Sequence, residues 1–172
     1  MSHRTGDGAQ GYRRIAMIAA ALTVGLITLG GVVRITGSGM GCGDHWPLCN
    51  GRFFPRLSDP LEVIEWSHRW VAAMVSATVV CLAAIAWRRH RADPYLKRPA
   101  IAALALLIAQ VLLGAVTVKL GTAAPAVVIH LGNAMLLLLV LVVCSLRAGE
   151  RLRGDGIVPG RGPTGALFAS GF

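Results

Sequence analysis

The sequence predicts an all-α membrane protein, a four-transmembrane-helix bundle with both termini cytoplasmic, and three observations carry that prediction. First, 55% of the 172 residues are apolar and only 15% are charged, with mean hydropathy +0.63, whereas a soluble domain carries about 25% charged residues. Second, the apolar residues gather into four runs of roughly 20 residues or more, the length that crosses about 30 Å of hydrocarbon. Third, the 17 Lys and Arg against 8 Asp and Glu are distributed between those runs, so the basicity is topological and does not point to nucleic acid.

The first span is Ile15 to Val33. Arg13 and Arg14 precede it as they would a signal peptide, but the run exceeds an ordinary h-region and ends in Gly30 and Gly31, so it is read as a retained span. The second, Leu61 to Trp87, carries Glu62, Glu65, His68 and Arg69 in its first third and is cleanly apolar only from Trp70. The third runs from Pro99 to Leu120 and the fourth from Ala123 to Leu146. Basic residues on the N-terminal tail (Arg4, Arg13, Arg14), the second connection (Arg88, Arg89, Arg91, Lys97, Arg98) and the C-terminal tail (Arg147, Arg151, Arg153, Arg161) face Arg34, Arg52, Arg56 and Lys119 on the other side. Retention of Lys and Arg inside then puts both termini in the cytoplasm. Trp46, Trp66 and Trp70 fall at the outer interface and Tyr12, Trp87 and Tyr95 at the inner one, as aromatic belts do. The expected organisation is a tail over 1–14, a transmembrane domain over 15–146 with an outer loop over 34–60, and a disordered, Gly-, Arg- and Pro-rich tail over 147–172.

His68 and His130 each lie seven residues into their spans, roughly 10 Å below the outer surface at 1.5 Å per residue. Both spans run from outside to inside, so two imidazoles face each other at one depth. Either histidine alone reads as a hydrogen-bonded core residue; the matched pair favours a metal, heme iron above all, held axially. Glu65 stands three residues before His68 and four before Arg69 on the same stripe. Two readings stay open: an i,i+4 pair that neutralises Glu65 and Arg69, or a carboxylate that handles protons at whatever His68 binds. Arg69, Arg34 or Lys119 could meet heme propionates. A zinc site fits the large apolar surroundings less well.

The outer loop, RITGSGMGCGDHWPLCNGRFFP from Arg34, is rich in Gly and Pro and reads as a structured connection without regular elements. Cys42 and Cys49 would lie on the oxidising side, where a disulfide is the default, either a clasp or a redox pair exchanging with a periplasmic thiol protein. His45 reads as a surface histidine, and Cys81 and Cys144 as small packing residues within their spans. LGGVVRITG at Leu29 to Gly37 and LGAVTVKLG at Leu113 to Gly121 share four of nine positions, each closing an odd-numbered span, which suggests two related helix pairs. Gln110, Gly114 and Thr117 share one face of the third span and Asn133 lies a turn after His130; such residues let helices approach closely, or line a flat ligand.

GGVVRITGSGMGCGDHWPLCNG at Gly30 to Gly51, EWSHR at Glu65 to Arg69, and QVLLGAVTV with the IHLGNA histidine at Gln110 to Ala134 resemble the heme A synthase family. The resemblance implies oxidation of the C8 methyl of heme O to a formyl group, by two hydroxylations and loss of water. It implies His68 and His130 as axial ligands of heme iron, Glu65 as the essential acid, and Cys42 with Cys49 as the outer-loop cysteine pair. Heme O is then the substrate and heme b a cofactor. The implied partners are a heme O synthase, a periplasmic thiol redox protein and further copies of the chain, in the bacterial cytoplasmic membrane. Typical members have eight spans in two similar halves with a histidine pair in each, so this chain is a half-size member. The rivals are a b-type electron-transfer cytochrome, which needs no carboxylate, and a heme-binding oxidase-assembly protein without catalysis.

Overall fold

A computed structural model describes residues 3–44 and 47–154. Four helices, α1 (His3–Ile35), α2 (Pro60–Arg89), α3 (Pro94–Lys119) and α4 (Ala124–Arg153), with one 3-10 turn (Ser38–Met40) make up its regular structure. Each helix is long and apolar enough to cross a membrane, and the chain is an integral membrane protein. α1 packs on α2 and α4, and α3 on the same two, so the helices form a ring in chain order with neighbours antiparallel. The loop between α1 and α2 and the turn between α3 and α4 share one end, the loop end; the chain termini and the α2–α3 connection share the other.

Local chemistry sets the helix starts. Asp59 caps α2, accepting from the Leu61 and Glu62 backbone N–H groups at 3.0 and 3.5 Å, with Pro60 in the first turn where no N–H is needed. Asp93 caps α3 by accepting from Tyr95 N at 3.0 Å, ahead of Pro94. Pro99 inside α3 has no N–H for the Tyr95 carbonyl four residues earlier. That freed carbonyl accepts from the Arg147 guanidinium of α4 at 3.1 Å, and Tyr95 itself hydrogen-bonds Glu150. α4 continues to Arg153 and closes on Gly154 at φ 75°. The tail expected from residue 147 is therefore helical for seven residues, held by Arg147 and by an Arg151–Asp93 pair at 3.0 Å. Residues 155–172 lie outside the described residues, as do His45 and Trp46. α1 likewise begins at His3 rather than at the expected Ile15.

The apolar core lies in the half of the bundle nearer the termini. Tyr12, Ala16 and Ala19, Val75, Val79, Leu82 and Ala86, Leu96, Ala100, Ala103 and Leu107, and Leu137, Leu141, Cys144 and Ala148 form one buried cluster. Alanine predominates because small side chains let helices approach closely in lipid. Tyr12, expected at the interface, is fully buried, its hydroxyl donating to the Leu96 carbonyl at 3.0 Å; a phenol can sit in a core when its O–H finds an acceptor. Cys144 packs in this core as expected, whereas Cys81 is exposed on the helix surface. From Val24 in α1, before Val75 in α2, beyond Leu107 in α3 and before Ala134 in α4, the helices bury no apolar side chain; only Glu62 and Glu65 are buried there.

Candidate heme site

His68 is eight residues beyond the start of α2 and His130 six beyond the start of α4, about 12 and 9 Å into the bundle at 1.5 Å per residue. Each rests on a glycine of the preceding helix. A Cβ on Gly30 would stand 3.2 Å from His68 Cε1 and 3.8 Å from Nδ1; on Gly114 it would stand 3.3 and 3.9 Å from the same atoms of His130. Both rings thus present the same edge to a helix backbone that only a glycine lets so near. Both Nδ1 atoms are buried without a hydrogen-bond partner.

The weak repeat is a structural one. Gly30 and Gly114 each precede the last residue of their helix by five positions, and Gly37 and Gly121, two positions past that residue, both take left-handed backbone (φ 68° and 58°). Beyond this shared frame the surroundings differ. His130 Nε2 lies 3.2 Å from Gln110 Nε2; Asn133 Nδ2 donates to Gln110 Oε1 at 2.7 Å and to the Leu106 carbonyl at 3.0 Å. No corresponding side-chain bond reaches the His68 ring among the described residues.

Glu65, 4% exposed, accepts from the Cys42 backbone N–H at 2.7 Å and from Arg69 at 2.5 Å. Arg69 also donates to the carbonyls of Leu48 at 2.7 Å and Pro47 at 3.3 Å. The pair therefore fastens the cysteine loop to α2, and Arg69 is spent on that loop rather than held out toward a propionate. Arg34 is exposed near the helix end, with a single bond at 3.2 Å to the Thr122 carbonyl; Lys119 is exposed as well. Cys42 and Cys49 form a disulfide, both buried in the loop.

Glu62 was not singled out by sequence as a site residue, yet it organises the loop. Fully buried, it accepts from Asn50 Nδ2 at 2.8 Å, from the Arg56 guanidinium at 2.7 and 2.9 Å, from the Arg56 backbone N–H at 2.7 Å and from Arg52 at 3.1 Å. Its hydrogen bonds, and then its charge, in turn push the Arg56 guanidinium above its ordinary range. A buried carboxylate is stable only with such complete pairing. Asn50 and Gly51, at φ 49° and 75°, make the tight turn typical of Asn-Gly, closed by Cys49 N–H to Arg52 O at 2.8 Å and its reciprocal at 2.9 Å. The loop thus contains a 3-10 turn and a hairpin turn where no regular element was expected. Phe53, Phe54, Trp66 and Trp70 cluster beside it with ring centroids 5.1–6.1 Å apart. Trp66 also donates from its indole N–H to the Phe53 carbonyl at 2.9 Å.

Residues 13–63 and 57–142 match the family COX15-CtaA, described as cytochrome oxidase assembly protein. The chain belongs to that family. Among its relatives, the heme A synthase of Bacillus pumilus is 33% identical over 147 residues, covering 83% of this chain and 47% of the relative. That of Bacillus licheniformis is 42% identical over 120 residues, 66% of this chain and 39% of the relative. That of Alkalihalophilus pseudofirmus is 32% identical over 151 residues, 86% and 51% respectively. The chain spans about half the length of these curated relatives. No solved structure matches it. Within this COX15-CtaA member no group of three or more His, Cys, Asp or Glu converges as a metal-binding set among the described residues. What the bundle offers instead is two imidazoles at similar depth, His68 on α2 and His130 on α4, each against a glycine.

Proposed function

We propose that the chain acts in heme A biosynthesis, oxidising the C8 methyl of heme O to a formyl group at a bis-histidine site. The observation that carries this reading is the pair of imidazoles from α2 and α4, each seated on the matching glycine of a structural repeat. The fit is chemical as well: both imidazoles lie in a half-bundle whose helices bury no apolar side chain, and the relatives' name, heme A synthase, supports heme A as the product. His68 and His130 hold the iron. When bound, heme iron supplies the redox chemistry, with heme O as substrate and heme b as cofactor. Arg34 and Lys119, at the loop end of α1 and α3, are the cations left for propionates. Glu65, with both oxygens engaged by Cys42 and Arg69, positions the loop over the site and holds negative charge beside it, where it stabilises positive charge developing on the substrate. The loop end faces the oxidising side of a bacterial cytoplasmic membrane, in keeping with its disulfide, and both termini face the cytoplasm. Further copies of the chain, in a homo-oligomer, belong to this reading. A heme O synthase and a periplasmic thiol protein are its partners.

One observation favours a second reading, a b-type electron-transfer cytochrome: Glu65 is occupied structurally, and such a protein needs the histidines without a free carboxylate. Extraction of the hemes from the protein purified out of its own membrane separates the two. Heme A or hydroxylated heme O is the expected result, heme b alone supports the cytochrome, and no heme overturns both. His68→Ala or His130→Ala should each abolish the six-coordinate low-spin spectrum; a spectrum that survives either change removes that histidine from the iron.

A further inference from the structure

The two imidazoles share a seat but not a set of hydrogen bonds, and the difference fixes the proton on one of them. The argument starts from an atom with no ambiguity. The Leu106 backbone carbonyl can only accept, and Asn133 approaches it at 3.0 Å, so the atom of Asn133 facing it is the amide nitrogen. The same nitrogen stands 2.7 Å from Gln110, which must offer its carbonyl oxygen. Both hydrogens of the Asn133 amide are then used, and Gln110 has only its NH2 left to turn toward His130 Nε2, 3.2 Å away. An amide nitrogen donates and does not accept. His130 Nε2 is therefore the unprotonated nitrogen, and the ring proton lies on Nδ1. Nδ1 is unpartnered in either tautomer, so nothing at the Gly114 side opposes the choice.

We infer that Gln110 and Asn133 form a relay, anchored on the Leu106 carbonyl, that holds His130 in the tautomer whose Nε2 lone pair faces away from its own backbone and is ready for a metal. Gln110 caps that lone pair until a stronger acceptor of electrons displaces the amide. Among the described residues His68 has no such relay, so the two ligands are not equivalent: one is preset, the other selects its tautomer as it binds. The position of Gln110 in the repeat corresponds to Leu26 in α1, and that of Asn133, three residues past the histidine, to Val71 in α2. The relay thus belongs to the second helix pair alone. Gln110 and Asn133 are positioning residues, since neither needs to touch the ligand. That Nε2 is an iron ligand rests on the function proposed above; its protonation state does not.

The test reads the tautomer directly, by nitrogen NMR of the full-length, heme-free protein labelled with 15N-histidine in detergent, His130 being assigned by its absence in His130→Ala. An unprotonated Nε2 with a protonated Nδ1 is expected for His130 in the wild type; a protonated Nε2 overturns the relay. Gln110→Leu should replace the single tautomer by a mixture, and an unchanged tautomer overturns the role of Gln110. If Gln110→Leu does not fold, Asn133→Ala carries the test: it frees the Gln110 amide to turn over, so a mixture is again expected and an unchanged tautomer overturns the anchoring. A parallel titration with ferric heme, read by visible absorption, separates the two claims. A preset tautomer without heme binding sinks the heme reading and leaves the relay standing, whereas heme binding with a protonated Nε2 beforehand does the reverse.

Discussion

The two helix pairs of this bundle are built on one frame and furnished differently. In each, a glycine five residues before the helix end receives the edge of an imidazole, and a left-handed glycine two residues past the end turns the chain. The first pair is joined by a long loop and spends its two buried carboxylates, Glu62 and Glu65, on fastening that loop. The second is joined by a short turn and spends Gln110 and Asn133 on its own histidine. The seat of the ring follows from helix packing; what acts on the ring follows from the connection. Repeats of this kind keep the geometry of a site while letting the chemistry of its two sides diverge.

The largest effect is expected where the loop meets α2. A Cβ on Gly41 would lie 2.5 Å from both the carbonyl carbon and oxygen of Leu61 and 2.9 Å from Glu62 N. These are backbone atoms of a capped helix and cannot step aside. Gly41→Ala must lift the loop, loosening the Cys42 bond to Glu65 and the Asn50 bond to the Gly41 carbonyl at 3.0 Å. A loss of about 3 kcal/mol, the upper end for overpacking, should appear in thermal unfolding, together with much faster reduction and alkylation of the buried Cys42–Cys49 pair. Wild-type reduction kinetics would mean that the first pair does not depend on its loop in the way described.

The frame of this comparison is readable in the amino-acid sequence, and the furnishing mostly is not. Apolar run length gives four membrane helices because hydrocarbon thickness leaves little choice, and equal spacing from the span starts pairs His68 with His130. The cysteine pair follows from its loop. Glu62 is hidden because its partners, Asn50, Arg52 and Arg56, are loop residues whose directions depend on a turn at Asn50 and Gly51. The Asn-Gly dipeptide was the available signal, and Arg52 and Arg56 read more simply as charges that set topology. Glu65 had two readings, and its choice of Arg69 and Cys42 required knowing where the loop returns. Gln110 and Asn133 could be placed on faces, but which atom of an amide meets which neighbour is a property of two packed helices. Helix ends beyond the apolar runs, as at His3 and Arg153, are set by caps and ion pairs that hydropathy does not register.

The two glycine seats offer a sharper test. The added methyl would press on His68 at 3.2 Å and on His130 at 3.3 Å, nearly the same demand. His68 can give by a few tenths of an ångström without breaking a bond, whereas His130 is held by Gln110. Both changes gain equally from the helix propensity of Ala over Gly, so Gly114→Ala should come out about 1 kcal/mol less stable than Gly30→Ala, the excess being overpacking against a held ring, as read from unfolding of the heme-free protein. In a Gln110→Leu background the difference should vanish, which a double-mutant cycle measures as a coupling between positions 110 and 114. Equal costs in the wild-type background would make the two seats equivalent after all.

The smallest expected effect lies far from both seats, where the pairs are joined. Tyr12 of α1 reaches across the buried core to the Leu96 carbonyl of α3, one neutral hydrogen bond linking the first pair to the second. Tyr12→Phe keeps the ring and its packing and removes only the hydroxyl, and the Leu96 carbonyl, inside a helix, retains its backbone bond. The loss should be about 1 kcal/mol, the usual net worth of such a bond, in thermal unfolding. Reduction of the Cys42–Cys49 disulfide should keep its wild-type rate, because the core that holds Tyr12 ends well short of the loop. A faster reduction in Tyr12→Phe would mean that the alanine-rich half and the histidine-bearing half yield together, and that the frame common to both pairs is held from the termini end rather than by each pair for itself.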